Sequence, residues 1–364
     1  MQNGVFQTGN PRWSAVFSLF MGVMALIAAE FIPVSLLTPI ARDLAVSEGM
    51  AGQTVTAVGV LAVLTSLLLA PLTGNTDRRR ILLAFSAMLV ASYMLIGMAP
   101  TYSIMLIGRA ILGICVGGFW SLASAVTLQL VPTKDVPRAL SIVYAGVSVA
   151  TIIALPVASW IGHLIGWRNV FFLGALMAAF GFVWQYRALP SLPARAGSGF
   201  RDMSALLRRT WILAGIGGNI LSFGGYHIFF TYLRPFLELD LALGANTLSV
   251  ILLVFGVANV LGTFIAGALL GNHFRSTMIL VHLAFTAAAL ALLLSQGHAD
   301  IGIALAVFWG FAFGFTPVGW STWIARTLSD KAELAGGLTV AATQFAIGLA
   351  AAVGGFTYDN LGIN

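Results

Sequence analysis

Apolar runs of about twenty residues, each closed by a short polar break, recur from residue 14 to residue 357. A helix rises about 1.5 Å per residue, so runs of this length match the roughly 30 Å hydrocarbon core of a bilayer. They predict eleven spanning helices, at about 14–36, 52–72, 81–98, 102–125, 138–161, 168–186, 212–235, 246–270, 276–295, 300–322 and 335–357. The pattern is not the weaker ten-residue alternation of a transmembrane barrel. The predicted fold class is an all-α polytopic membrane protein.

The longest polar break runs from Arg187 to Arg209 (RALPSLPARAGSGFRDMSALLRR) and is rich in Pro, Gly, Ser and Arg, the composition of a linker. It divides the chain into an N-terminal six-helix bundle over 1–186, a linker over 187–210 and a second bundle over 211–364. Sliding the second half on the first by about 197 residues superposes Gly113 on Gly310, Gly117 on Gly314 and Lys134 on Lys331, and an offset of 198 superposes Trp13 on Trp211. A duplicated six-helix unit is predicted, as in transporters assembled from two halves. The same offset places a twelfth helix at about 365–383, beyond the last residue of this sequence.

Composition supports a lipid environment. Hydrophobic residues make up 59% of the chain and charged residues 8%, against roughly a quarter charged in ordinary soluble domains. The net charge of +6 does not point to nucleic acid, because the basic residues are scattered through short loops and form no compact patch. Of the eighteen Lys and Arg residues, fourteen fall at the N-terminus or in even-numbered connections and three on the opposite side. By the positive-inside rule the N-terminus and linker are cytoplasmic. Cys115 is the only cysteine, so no internal disulfide can form. The first span lacks a small-residue cleavage site and is expected to be retained.

The candidate chemistry rests on few residues. Glu30, in LIAAEFIPVSLL, is the one acid set well inside a span. A charged side chain near a helix centre costs about 2.5 to 3.5 kcal/mol on insertion scales, so such a group either exchanges protons or is hydrogen-bonded structurally to a neighbour. Pro33, three residues on, removes a backbone donor and frees a carbonyl near Glu30. Arg109, in LIGRAILGICVGGFW, is the second charge inside a span and either couples to Glu30 or binds backbone carbonyls. Gly113, Gly117 and Gly118 after it have the small-residue spacing of close helix packing. Asp77, Arg78 and Arg79 (PLTGNTDRRR) join spans two and three in a tight turn that serves as a cytoplasmic gate or as a topology anchor.

In the seventh span, NILSFGGYHIFFTYLRP mixes rings with hydrogen-bonding groups: Asn219, Tyr226, His227, Phe230 and Thr231. With Phe31 and Trp120 they form a candidate binding site for a small neutral solute, since ring faces beside hydrogen-bonding groups suit an uncharged, partly aromatic molecule. His227 falls on Glu30 under the repeat offset and is either a second proton site or a helix–helix contact. No metal-ligand spacing, phosphate loop or carboxylate dyad lies within the spans, so neither a metal nor a cofactor is expected, and an intramembrane enzyme is disfavoured.

The segments EFIPVSLLTPIARDL, TDRRR, LIGRAILGICVGGFW, IGWRNVFF and PVGWSTWIAR resemble the drug:proton antiporter branch of the major facilitator superfamily, over nearly the whole chain. Asp77, Arg78 and Arg79 match the family's acid and arginines between spans two and three, although Thr73 stands at its leading glycine and Arg80 at a later one. Arg109 and Gly113 match its span-four motif. The span-five antiporter motif keeps Pro156 but has Leu155, Ala158 and Ser159 where glycines are usual. The resemblance implies two six-helix bundles in a bacterial inner membrane, a monomer, and export of purine nucleosides such as inosine and guanosine in exchange for protons. Glu30, Arg109 and His227 would then couple protons. Export of sugars or amphipathic drugs, and passive facilitation, are the alternatives.

Overall fold

The computed structural model describes residues 11–46, 48–194, 200–235, 237, 245–294 and 298–361, and all regular structure among them is helical. The first half contains α1 (Trp13–Ser35), a short α2 (Leu37–Asp43), α3 (Glu48–Thr73), α4 (Arg78–Gly97), α5 (Tyr102–Leu130), α6 (Val136–Ile165) and α7 (Trp167–Ala188). A short amphipathic helix, α8 (Phe200–Leu207), lies in the predicted linker. The second half contains α9 (Thr210–Pro235), α10 (Ala245–Leu294), α11 (Ala299–Phe313), α12 (Phe315–Thr327) and α13 (Ala332–Leu361).

Nine helical segments among the described residues are long and apolar enough to cross a bilayer, and Ala57–Thr73 within α3 is a shorter apolar helix. One of the nine, Val250–Leu292, spans 43 residues, about twice what a membrane requires. It is two spans. At His273 the backbone leaves the helical region (φ −124°, ψ 43°), and the chain turns back. Phe255 before the break and Phe285 after it sit at one level, against Gly310 and Trp309 of α11 respectively. The Arg326 guanidinium donates to the carbonyls of Leu270 (2.9 Å) and Gly271 (2.5 Å), supplying donors that the end of the first arm otherwise lacks. The predicted eleven spans are therefore present, with spans eight and nine joined by a sharp corner. The tenth is divided at Gly314 into α11 and α12.

The repeat offset recurs in the packing. In the first half Gly113 of α5 lies on the carbonyl of Val58, with 2.6 Å between that oxygen and an ideal Cβ, and Gly117 lies on the carbonyl of Ala62. In the second half Gly310 lies on the carbonyl of Phe255 (2.7 Å) and Gly314 on that of Asn259 (2.5 Å). All four glycines and all four partners are related by the same 197 residues. Ser124 and Ser321, equivalent under that offset, meet each other: the Ser124 hydroxyl donates to the Ser321 carbonyl at 3.4 Å. That contact marks the place where the two halves face across their pseudo-symmetry axis.

The halves are closed at the end that carries the linker. Gly336 and Gly337 of α13 lie directly on the carbonyls of Ser121 and Ser66, so α13 packs against α5 and α3 with no side chain between. Ala70, Ala125, Ile324, Leu328 and Leu334 are buried together beside them. The Tyr144 hydroxyl meets the Ser321 hydroxyl at 2.7 Å, and the Ser148 hydroxyl donates to the Asn259 side-chain oxygen. These groups sit where lipid would leave them unsatisfied, so pairing across the halves favours the closed arrangement. At the opposite end Asp43 accepts from the Trp167 indole (3.1 Å) and from Arg168, whose guanidinium also reaches the Ala99 carbonyl at 2.9 Å.

Replacing Gly117 by valine forces the side chain into the α3 backbone and is expected to cost about 1 to 3 kcal/mol, lowering the melting temperature of the detergent-solubilised protein. Gly348→Ala, at a position with open space around it, is the control and leaves that temperature unchanged. Scanning fluorimetry distinguishes the two.

Candidate functional site

The chemistry of the first half gathers around the end of α1. Pro33 stands inside the last turns of that helix, and its ring nitrogen has no hydrogen to give to the carbonyl four residues back. That carbonyl belongs to Ala29. The Arg109 Nη1 donates to it at 2.7 Å, and Nε donates to the Thr54 carbonyl of α3 at 3.1 Å. Arg109 is fully buried, and its guanidinium thus joins α1, α3 and α5. Its second terminal nitrogen, Nη2, has no hydrogen-bond partner among the described residues. The helix breaks at Leu36 (φ −116°, ψ 18°), three residues past Pro33, and restarts as α2.

Glu30 is the next residue along from the bonded carbonyl. It is part-exposed while Ala28 and Ala29 are buried. Its carboxylate is within electrostatic reach of the Arg109 guanidinium, yet the two are not among the ion pairs of the described residues. Arg109 thus holds backbone carbonyls, one of its two alternatives, and its guanidinium is near enough to Glu30 to act on it electrostatically. Phe31 is part-buried against the core of the first half.

The second half supplies rings. Tyr226 is buried, and Phe230 (centroids 5.3 Å) and Phe313 (3.3 Å) both stack with its ring. His227 is part-exposed, and its ring meets those of Tyr226, Phe313 and Phe230 at 5.0, 6.0 and 6.1 Å. Among the described residues the rings it meets are aromatic, so Glu30 and His227, equivalent under the repeat offset, have different surroundings. Asn219 is buried. Its oxygen accepts from the Thr343 hydroxyl at 3.0 Å, and its amide nitrogen has no partner among the described residues. Trp120 stacks on Tyr144 (4.8 Å, 15°), and Phe119 meets it in a T-shaped pair at 5.5 Å. Thr231 lies on α9, but its side chain is outside those described.

Two further groups carry no signal in the seventh-span motif. The Trp320 ring of α12 lies against Gly218, next to Asn219, and its indole nitrogen is buried without a partner. Asn219 and Trp320 thus each carry a buried donor with no partner among the described residues, on two helices that touch at Gly218. His282 is the other intramembrane histidine. Its Nδ1 faces the Met278 carbonyl at 2.7 Å, which can only accept, so Nε2 is left to the Ser222 hydroxyl at 2.6 Å.

The turn before α4 is more specific than a topology anchor. Arg78 is fully buried, and its Nε donates to Oε1 of Glu333 at 2.7 Å, its Nη2 to Oε2, and its Nη1 to the Thr76 carbonyl at 2.6 Å. Glu333 opens α13, so this two-pronged pair crosses from one half to the other. Sequence reasoning missed Glu333, which reads as an ordinary acid at the start of a span; the available signal was a carboxylate in a first helical turn. Asp77 faces the linker instead. It caps α4 by accepting from the Arg79 N–H (2.8 Å), and it accepts from the Leu192 N–H (2.9 Å) and the Ser191 hydroxyl (2.7 Å). Partial burial alone would raise its pKa, but these three hydrogen bonds and the nearby Arg80 charge hold it below the usual 3.8. Arg79 reaches the Tyr186 carbonyl at 2.7 Å and lies over that ring at 5.4 Å.

Two bundles of apolar helices meeting around part-buried polar and aromatic groups, sealed at one end by a cross-half ion pair, define a membrane transporter of the two-bundle class and not an enzyme. The Major Facilitator Superfamily model matches residues 19–355, and the chain belongs to that family. Purine ribonucleoside efflux pumps NepI of Salmonella paratyphi C and Salmonella typhimurium are 41% identical to it over 353 residues, 97% of this chain and 89% of theirs. Among solved structures, the proton:xylose symporter XylE bound to 6-bromo-6-deoxy-D-glucose superposes with a TM-score of 0.77 at 15% identity, covering 96% of this chain and 89% of that one. The human organic anion transporter MFSD10 gives 0.74 at 17% identity, covering 97% and 95%. At these identities the structural matches speak to the fold.

Removing one partner of a buried ion pair costs about 3 to 5 kcal/mol, whereas replacing both by apolar residues is often neutral. Glu333→Gln is therefore expected to open the linker end, read as faster maleimide labelling of a cysteine placed at Ser124 in a protein whose Cys115 is alanine. Arg78→Met combined with Glu333→Leu should label more slowly than the single variant. The Asp77 contacts behave differently with pH. A group whose folded pKa lies below its unfolded value stabilises the fold fully above the unfolded value and loses that effect as pH falls through the folded one. Protease cleavage at the linker is thus expected to accelerate only below pH 3.8, and Asp77→Asn should cleave quickly at every pH.

Proposed function

We propose that this transporter exports purine ribonucleosides, such as inosine and guanosine, in exchange for protons across a bacterial inner membrane. The observation that carries the reading is the 41% identity over 97% of the chain to pumps named for purine ribonucleoside efflux. The site chemistry is compatible with it. A purine offers acceptor atoms at its rim and a flat face; Asn219 and Trp320 carry donors without a partner among the described residues, and the part-exposed rings of Phe230 and His227 lie about two to three turns further along α9. Among the described residues within the spans, cationic cargo would find Glu30 alone to neutralise it.

In this reading the N-terminus and linker are cytoplasmic, as the distribution of Lys and Arg favours. The closed linker end is then a state in which cargo sites face outward. Protonation of Glu30 removes its attraction to Arg109 and changes the relative stability of the two arrangements of the halves. A proton and a nucleoside can be exchanged only if each binds the two arrangements with different affinity. The Arg78–Glu333 pair resists opening toward the cytoplasm until such a difference outweighs it. The protein works as a monomer, since both halves of the site come from one chain.

The test is flux of radiolabelled inosine in vesicles with and without an imposed pH gradient, using arabinose and a cationic dye as alternative cargo. The gradient should change inosine flux by about five- to 150-fold, the usual range of coupling between two ligands. Glu30→Gln should abolish that dependence while leaving downhill movement. Inosine flux indifferent to the gradient in the wild type would make the protein a passive facilitator, and transport of arabinose or dye in preference to inosine would replace the cargo.

A further inference from the structure

The molecule has a cavity that the transport reading does not use. It has a volume of about 670 Å³ and lies where α1 and α6 of the first half meet the first arm of α10, within the range of small-molecule pockets. Its body is apolar, formed by Phe17, Phe20, Ile142 and Phe264 among others. Phe17 and Phe264 are 44% and 49% exposed, and on a bilayer-spanning helix such rings face hydrocarbon. The cavity is thus continuous with the acyl region and set apart from the ring cluster of α9.

Its upper rim is charged. Lys134, in the short 3-10 turn Thr133–Asp135, and Arg138, in the first turn of α6, are four residues apart and both line the cavity. Both are exposed. Neither is among the ion pairs or side-chain hydrogen bonds of the described residues, although Arg138 sits over the Trp13 ring at 5.2 Å. Asp135 shares the rim, so two cations stand against one carboxylate. A cationic rim above an apolar slot opening sideways into lipid has the chemistry of an anionic phospholipid: phosphate at the rim, acyl chain along the rings. A soluble anion would have no use for the apolar body, and a hydrocarbon none for the rim.

We propose that the groove between α1, α6 and α10 binds one anionic phospholipid, its phosphate held by Lys134 and Arg138 and one chain lying over Phe17, Phe20 and Phe264. The site spans both halves. At its floor Gly267 of α10 lies against the Ser141 hydroxyl of α6, so a lipid seated there clasps the two halves in the arrangement seen here. Binding selectively to one arrangement shifts the equilibrium toward it. The proposal is independent of the cargo and of proton coupling.

Native mass spectrometry of the full chain in neutral detergent tests it, with phosphatidylglycerol, phosphatidylcholine and inorganic phosphate as probes. One phosphatidylglycerol should be retained in preference to phosphatidylcholine. Each basic residue near a lipid surface is worth about fivefold in affinity, so Lys134→Gln should weaken retention about fivefold and Lys134→Gln with Arg138→Gln about thirtyfold. Ala268→Trp, which narrows the groove without changing charge, should also lower retention. Lys134→Gln is the decisive variant, since that exposed side chain supports no packing. Equal retention of both lipids, or retention unchanged in Lys134→Gln, would overturn the site. Displacement of phosphatidylglycerol by inorganic phosphate, with Ala268→Trp without effect, would reduce it to an anion contact and overturn the lipid assignment.

Discussion

A proline that cannot donate and an arginine that cannot lose its charge solve each other's problem in this protein. Pro33 leaves the Ala29 carbonyl without a helical partner inside the membrane, and Arg109 brings a buried charge that needs acceptors. Neither would be tolerable alone in hydrocarbon. Together they fix α1 against α5, and the second bond, to Thr54, adds α3. Glu30 is placed by that junction, since it follows the bonded residue directly. The position of the one acid inside the span is thereby a consequence of backbone accounting, and its nearest strong charge is set by the same contact.

The two halves share a scaffold and divide the chemistry. The glycine-on-carbonyl contacts of α5 on α3 are repeated, residue for residue at an offset of 197, by α11 on α10. The charged groups inside the spans are not repeated. Arg109 is matched by Ala306, which is fully buried, and Glu30 is matched by His227. Packing needs small residues at set spacings and tolerates little else, so it is retained in both copies. Ionisable groups are costly in each copy, and one set suffices. The result is a symmetrical frame with an electrostatic first half and an aromatic second half.

Much of this frame was legible in the sequence, because span length and glycine spacing are local properties. The eleven spans, the freed carbonyl near Glu30 and the close packing at Gly113 and Gly117 all follow from short windows of residues. The corner at His273 was placed correctly as a boundary, although its capping by Arg326 depends on a residue more than fifty positions away. The site was less legible for the same reason. Glu333 looks like any acid at a helix start until Arg78 is seen 255 positions earlier in the chain, folded against it. The Tyr226 ring looks available in a list of aromatic residues, but Phe313, from another helix, covers one of its faces. The burial of the Trp320 ring against α9 depends on Gly218, where a larger residue would keep the two helices apart.

The segment between the halves is moored at both ends. Ser191 and Leu192 are bound to Asp77 in the first half, and Asp202 is bound to Lys331 in the second at 3.1 Å. Asp202 is ten positions after Leu192, and a fully extended chain of that length reaches only about 35 Å. While both moorings hold, the connection acts as a tether of finite reach, and the gape of the molecule at this end has a ceiling set by covalent geometry. Shortening that stretch would lower the ceiling without touching any residue of the cargo site.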